Sequence, residues 1–384
     1  MSGSRPVRPS RVGSSGHSGG TAPASHRIPS PLSGDSLSYR RNGPDTGAIR
    51  LPRPRRWQTS GMDEGGKLVF GADVLGAPYE AATIRLRDDA EGEAAATLVR
   101  RRAETPTGRA VLYVHGFNDY FFQRHLADFH IAQGFDFYAL DLRSYGRSLR
   151  PHRTPAYTDD LGRYAEELDI AARHIRDADG HGTLVVNGHS TGGLIAALWA
   201  HHRAGRGIVD ALVLNSPFLD LNAPLVTRTV GVRAVHAARH YVARRPIPGG
   251  LGGGYGESLH RDHHGEWEFD PAWKAIEGVP AYAGWVAAVH RGHRAVARGL
   301  AVDCPVLAMS STASVDGATW REELHRADAV LDADRIAFLA PRLGNHVTIV
   351  RIEGGMHDLV LSVPDVRAAV FDELARWLRA YAAP

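Results

Sequence analysis

The stretch Thr183-Leu184-Val185-Val186-Asn187-Gly188-His189-Ser190-Thr191-Gly192-Gly193 decides how this chain is organised. Its first half is a run of β-type residues. Its second half opens a segment, 191–202, in which Leu194, Ala197 and Leu198 recur at helical spacing. Between the two, Ser190 has Gly188 and Gly192 two residues to either side. A serine presented on a strand-to-helix turn needs a sharp, strained backbone, and glycine at those positions lets strand and helix approach without Cβ clashes. The serine then stands at the helix N-terminus, where the dipole favours developing negative charge. The pattern alone carries little, because Gly16-His17-Ser18-Gly19-Gly20 matches it too. That copy has no apolar strand before it and no striped helix after it. Ser190 is therefore the candidate nucleophile.

Outward from this point, short apolar β-type runs alternate with longer helical segments. The predicted strands are 79–86, 94–101, 110–114, 135–140, 183–187, 211–214, 305–309 and 347–352, the first two as a hairpin around the acidic turn at 88–92. Helical periodicity covers 121–133, 161–176, 191–202, 332–339 and 366–381. Such alternation means an α/β fold with a mostly parallel central sheet and helices on both faces. The nearly continuous apolar strands fit burial on both sides. One interval breaks the rhythm. About ninety residues separate 211–214 from 305–309, far beyond an ordinary loop. They hold the glycine-rich 249–254 and several tryptophans, and are predicted to form an inserted helical cap over the C-terminal edge of the sheet, where such sheets bind ligands. The expected division is a tail at 1–65, core at 66–216, cap at 217–300 and core again at 301–384.

The chain has 384 residues, 43% hydrophobic and 23% charged, enough for a sizeable core. No run approaches the roughly 18 apolar residues of a membrane span, so no integral membrane segment is expected. No apolar h-region follows the first arginines, which argues against a secretory signal. The single cysteine, Cys304, excludes an internal disulfide or Cys-rich metal site and fits a reducing, cytoplasmic compartment. Residues 1–60 carry ten arginines and two aspartates, which leaves 61–384 mildly acidic within a net charge of +3. This Ser/Gly/Pro/Arg-rich tail cannot bury enough surface to order itself. With few aromatics among its arginines it is a poor nucleic-acid surface, and no nucleic-acid partner is expected. Met62 stands where ordinary composition begins and is a candidate true start.

A serine hydroxyl needs a base, and the negative charge it generates needs donors. His115-Gly116 closes the apolar run 110–114, and the backbone N–H groups of Phe117 and Thr191 are the expected oxyanion donors. One such donor is typically worth about 2.7–4 kcal/mol of transition-state stabilisation. His115 itself is expected to shape the loop. The base should follow the last strand, where Glu353-Gly354-Gly355-Met356-His357-Asp358 supplies His357. An acid that orients the imidazole should follow the strand before. Asp328, Asp332 and Asp316 all qualify, although Asp332 suits a helix N-cap and Asp316-Gly317 a turn.

Other groupings weigh less. His260, His263 and His264 suggest a metal site, but their spacing is too tight for joint ligation and a solvated cap loop is the reading; no metal and no cofactor is expected. His290 and His293 look like exposed helix positions. Tyr282, Trp285, Val286 and Val289 fall at helical spacing and either line an acyl pocket or pack the cap down. Tyr120 and Trp285 are the candidate substrate contacts, with Phe117, Phe121 and Phe122 adding apolar surface.

Taken in order, His115-Gly116, Gly188-His189-Ser190-Thr191-Gly192-Gly193, the cap and the late Gly354-x-x-His357 resemble the monoacylglycerol lipase/lysophospholipase-like branch of the α/β-hydrolases, over about residues 75–382. The resemblance implies the α/β-hydrolase fold and a serine hydrolase acting on a small acyl ester, such as an acyl glycerol or lysophospholipid. An acyltransferase, thioesterase or peptidase with the same triad, or a non-catalytic ligand-binding fold, are the alternatives. The family's Asp-x-x-x-Asp stretch, about thirty residues before the histidine, matches Asp328 and Asp332 and implies Asp328 as the acid. Two departures stand out. Ser144 replaces the first glycine of the family's Asp-x-x-Gly-x-Gly-x-Ser, and residues 311–327 separate the preceding strand from Asp328.

Overall fold

The computed structural model describes residues 67–221, 242–247 and 252–383. The arginine-rich tail, with Ser18 and Met62, and parts of the cap interval lie outside the described residues. The strands are β1 (Gly71–Ala72), β2 (Glu80–Arg85), β3 (Ala95–Arg101), β4 (Arg109–Val114), β5 (Asp136–Asp141), β6 (Thr183–His189), β7 (Ala211–Asn215), β8 (Val306–Ser311) and β9 (Val347–Ile352). They form one sheet in the order β1-β2-β3-β5-β4-β6-β7-β8-β9. The first three strands and the β3–β5 junction are antiparallel, and every pair from β5 through β9 is parallel. The mostly parallel α/β architecture expected from the alternation is the one observed, hairpin included. Two-residue β1 is too short to leave a periodic trace in the sequence.

Side-chain alternation along the central strands feeds two apolar cores. Leu112, Leu184, Val186, Leu212 and Leu214 point to one side, with Val111, Tyr113, Val185 and Val213 on the other. Helices α1 (Arg124–Ala132) and α7 (Pro364–Tyr381) cover the second face. Helices α2 (Ala165–Arg173), α3 (Thr191–Arg203) and α6 (Ala333–Leu339) cover the first. Burying one such aliphatic side chain is worth about 1.5–3 kcal/mol, which is why uninterrupted apolar strands specify a sheet covered on both sides.

Two element expectations differ in detail, and one residue differs in its surroundings. Residues 121–123 are not helical; Phe121 and Phe122 are buried in the loop before α1. The segment from 161 is composite, with a 3-10 turn at Leu161–Tyr164, then α2, then a π turn at His174–Ala178. In the cap interval the described helices are α4 (Gly254–Leu259) and α5 (Ala283–Arg298). His293 is buried, contrary to the exposed position expected for it. The reason is close packing of α5 on α3: a Cβ at Gly292 would stand 3.0 Å from Leu198 and 3.2 Å from Leu194. That brings the face carrying Trp285, Val289 and Val296 into the core, and His293 Nε2 meets the Phe218 carbonyl at 2.9 Å.

The Ser144 departure has a local solution. Ser144 takes the left-handed backbone (φ 67°) that glycine favours, and its Oγ accepts a hydrogen bond from Arg153 Nε at 2.9 Å. Gly146 (φ 43°) keeps its glycine because a Cβ there would meet Asp141 Oδ2 at 2.6 Å and collide with Tyr120.

His130 is enclosed by the rings of Phe129, Phe135 and Phe137. Burial pushes its pKa down to about 3. Burial likewise holds His293 at about 4. The unfolded chain therefore binds more protons than the folded one as pH falls from about 6.5 to these values, and stability is lost through that window. Urea denaturation midpoints are expected to drop between pH 7 and pH 4.5, less steeply in His130→Leu; equal slopes in the two proteins would count against this assignment.

Candidate active site

The C-terminal ends of β4, β6, β7, β8 and β9 bring the polar residues together. Ser190 sits between β6 and α3 at φ 51°, ψ −118°. Glycine packing permits this turn. A Cβ at Gly188 would lie 2.7 Å from Gly193 Cα, and one at Gly192 would collide with the carbonyls of Val114 and His115. Gly116 is pressed against the turn as well, since a Cβ there would lie 3.2 Å from Ser190 Cβ. The backbone at 116–117 thus runs beside the serine. Thr191 opens α3, where first-turn N–H groups have no partner within the helix.

His357 follows β9. Its Nε2 is 3.0 Å from Ser190 Oγ and its Nδ1 is 3.0 Å from Asp328 Oδ2. Ser190 is 7%, His357 3% and Asp328 0% exposed, so the row of three is shielded from bulk water. The second Asp328 oxygen accepts the N–H groups of Val330 at 2.9 Å and Leu331 at 2.7 Å, which fixes the carboxylate plane. The long stretch between β8 and Asp328 is closed by a bridge. Asp328 N–H donates to Ala313 O and Val315 N–H to Asp328 O, both at 2.9 Å, so Asp328 lies beside the continuation of β8. The other two carboxylates lie elsewhere. Asp316 is exposed and accepts the Ala318 N–H, while Asp332 caps α6 by accepting the Arg335 N–H at 3.0 Å.

His115 is held in the wall of the site. Its Nε2 accepts the Leu142 N–H at 3.0 Å, leaving Nδ1–H for the Gly116 carbonyl at 2.8 Å. Trp285 lies with its ring 4.3 Å from that of Phe117. Tyr120 is buried, and its hydroxyl accepts the Asp270 N–H at 2.8 Å, bracing the loop before α1 against the segment that precedes α5. Lys274 reaches the same loop and pairs with buried Asp119 at 2.9 Å. Burial alone would raise the Asp119 carboxyl, but the Lys274 ammonium beside it holds it below its ordinary value. His260 is buried, not solvated as expected, with Nε2 on the Phe269 carbonyl at 3.2 Å, and His264 stacks on Trp320. Among the described residues no three His, Cys, Asp or Glu side chains come together as metal ligands, and no helix is long and apolar enough to cross a membrane. A 390 Å³ cavity is lined by paired charges, including Asp89, Glu91, Arg143 and Arg153, and by none of Ser190, His357 or Asp328.

Three polar residues beside the serine and histidine were not singled out in the sequence: Asn215, Asp358 and Tyr255. Tyr255, from α4, turns its ring edge to His357 and accepts the Asp358 N–H at 3.1 Å. The traces were faint, a lone polar residue ending an apolar strand and an acid directly after a histidine.

Strand order, helix placement and this turn define an α/β-hydrolase. Residues 105–315 match the sequence profile of the hydrolase family described as serine aminopeptidase, S33, and the chain belongs to that family. No curated protein matches the sequence significantly. Among solved structures, a soluble variant of monoglyceride lipase from Saccharomyces cerevisiae, in complex with a substrate analogue, is 17% identical. The match covers 78% of this chain and 96% of that one, with a TM-score of 0.59. The monoacylglycerol lipase of Paleococcus ferrophilus is 19% identical over 74% of this chain and 99% of that one (TM-score 0.54). A thermostable carboxyl esterase from Bacillus coagulans, in complex with glycerol, is 13% identical over 78% and 98% (TM-score 0.57). At such identities the likeness is one of fold.

Gly192→Ala forces a methyl group against two strand carbonyls that cannot move separately. It is expected to cost about 1–3 kcal/mol or more of stability, read as a lower urea midpoint. An unchanged midpoint would contradict the close approach of β4 and α3.

Proposed function

We propose that this protein is a carboxylic ester hydrolase that acts on an acyl glycerol, a lysophospholipid-like ester or another small acyl ester. The observation that carries this reading is the buried row Ser190–His357–Asp328, with two 3.0 Å separations. In this reading Ser190 Oγ attacks the ester carbonyl carbon while His357 Nε2 takes its proton. Asp328 accepts from Nδ1–H, orients the ring and stabilises the imidazolium without taking the proton. The backbone N–H groups of Phe117 and Thr191 receive the oxyanion. As the tetrahedral intermediate collapses, His357 returns the proton to the departing alcohol, leaving an acyl-enzyme. Water, deprotonated by His357, then attacks the acyl carbon, the carboxylic acid leaves and Ser190 regains its hydrogen. No metal or cofactor enters. The interval 217–300 is the part we assign to shaping the acyl site, its Trp285 in ring contact with Phe117. The proposed setting is the cytoplasm, on the strength of the single, buried Cys304.

The lipases and the carboxyl esterase of like fold support an ester substrate. The family description favours a second reading, cleavage of an N-terminal residue from a peptide by the same chemistry. A kinetic panel of glyceryl and p-nitrophenyl esters of several chain lengths, run beside aminoacyl p-nitroanilides, separates them. Turnover of the esters is expected; turnover of the anilides alone would overturn the ester reading.

Two further outcomes test the residues. A fluorophosphonate probe is expected to label the wild-type protein and not Ser190→Ala; undiminished labelling of that variant removes Ser190 from its role. On the best substrate, Asp328→Asn is expected to lower kcat by roughly 10³–10⁴-fold. Asp316→Asn should leave it within about twofold, as usual for an exposed substitution away from the site. The reverse ranking would move the acid to Asp316.

A further inference from the structure

Asn215, the last residue of β7, stands between the two elements that carry the nucleophile and the base. Its backbone carbonyl accepts the Ser190 N–H at 3.0 Å and lies 3.2 Å from His189 Nδ1. Its side chain reaches the loop of His357. Nδ2 donates to Asp358 Oδ1 at 2.7 Å, and Oδ1 accepts the Leu359 N–H at 3.2 Å. A carboxylate only accepts and an N–H only donates, so these partners fix the amide's orientation. The other Asp358 oxygen takes Gln123 Nε2 at 3.3 Å. Asn215, Asp358 and Gln123 are all buried.

This arrangement matters because of what carries His357. Strand β9 is the edge of the sheet, and the chain leaves it through Gly354 at φ 68° and Gly355. The His357 ring lies against those of Tyr255 and His189, with centroids 5.6 and 5.0 Å away. Side-chain ties from the sheet to this loop are the Asn215 amide on Asp358 and Leu359 and, from the end of β6, the titratable His189, whose Nε2 lies 4.0 Å from Asp358 Oδ2. One residue thus holds the backbone of the serine turn with its carbonyl and the histidine loop with its amide.

We propose that Asn215 is a positioning residue, setting the Ser190–His357 separation through a buried amide–carboxylate clamp on Asp358. The proposal rests on the Ser190–His357 reading above and adds to it a residue that touches neither reacting atom. The clamp needs a particular polarity: an NH₂ facing a carboxylate, and an acceptor facing the Leu359 N–H. Alanine at 215 supplies neither. Aspartate keeps the shape but sets carboxylate against carboxylate, so that one of the two holds a proton until the pH is raised. Exchanging the groups, Asn215→Asp with Asp358→Asn, restores an NH₂-to-carboxylate bond in the opposite sense. It also leaves an acceptor for Leu359 and a carbonyl oxygen at 358 for Gln123, and gives up only the 3.4 Å bond that Asp358 Oδ1 accepts from the Val360 N–H.

The test is steady-state kinetics against pH on the best ester. It compares wild type, Asn215→Ala, Asn215→Asp, the exchanged double variant and Ser190→Ala, with the melting temperature of each. Asn215→Ala and Asn215→Asp are expected to lose roughly 10²-fold in kcat, the cost of a misplacement near 1 Å. Their KM should stay within about twofold, since the interaction serves the reacting geometry and not ground-state binding. The Asn215→Asp deficit should deepen as pH rises. The double variant should recover most of the lost kcat and the wild-type pH profile. A purely structural role would lower melting temperature while leaving kcat of the folded protein alone.

Folded single variants with wild-type kcat would overturn the proposal. So would a double variant no better than Asn215→Asp, or one that does not fold. If the single variants do not fold, the double variant alone decides. An active Ser190→Ala would overturn the catalytic reading beneath the clamp, whereas an inactive one with no recovery in the double variant overturns the clamp alone.

Discussion

Strand β6 and helix α3 meet with only glycine between their backbones, and the placement of the other polar residues depends on that contact. Gly188 faces Gly193, and Gly192 faces the last two carbonyls of the neighbouring strand region. With no Cβ in the way, the chain turns through a left-handed serine and drives its hydroxyl above the sheet's C-terminal edge. The loop after β4 then packs onto that turn through Gly116, and the carbonyl of Asn215 receives the serine's N–H from the other side. Any bulk in the contact would move all three together.

Around this turn the interior holds several buried charged pairs. Arg147 spans Asp73 and Asp141, Arg143 lies on Glu167, and Lys274 on Asp119, all buried. Pairs of this kind are weak evidence for stability, because each charge gives up its water to form them. What they do here is geometric. Asp141 also accepts the Phe121 and Arg147 N–H groups, so one carboxylate holds the loop before α1 and the loop after β5. Lys274 ties the cap interval to the loop that follows β4. The site walls are loops, and buried charges with several partners give loops a single conformation.

How much of this was legible in the sequence follows from the physics of each signal. The sheet was, because strands buried on both faces are written as apolar runs, and so was Ser190's setting, because the strand before it and helix after it have different periods. Helix starts were less so: Phe121 and Phe122 continue the apolar pattern of α1 yet belong to the loop that fills the core beneath it. His293 was misread because helical position alone does not say which face meets a neighbour; Gly292 decides that by letting α3 in. Asn215 and Asp358 left only faint traces, and Tyr255 none. A polar residue that closes a strand or follows a histidine gains meaning only when distant segments meet around it.

The bridge between residues 313–315 and Asp328 has an evolutionary side. Both ends of the excursion 316–327 are pinned to one another, and its interior packs beside the cap interval, with Leu324 buried and Trp320 stacked on His264. Where the excursion makes no such contacts, the closure cost of added residues grows only slowly with length, about 0.6 kcal/mol per doubling. The carboxylate facing His357 is thereby placed by the rung and not by the length of chain between β8 and residue 328. Counting residues onward from β8 is a poor guide to that carboxylate; the rung that closes the loop is the better landmark.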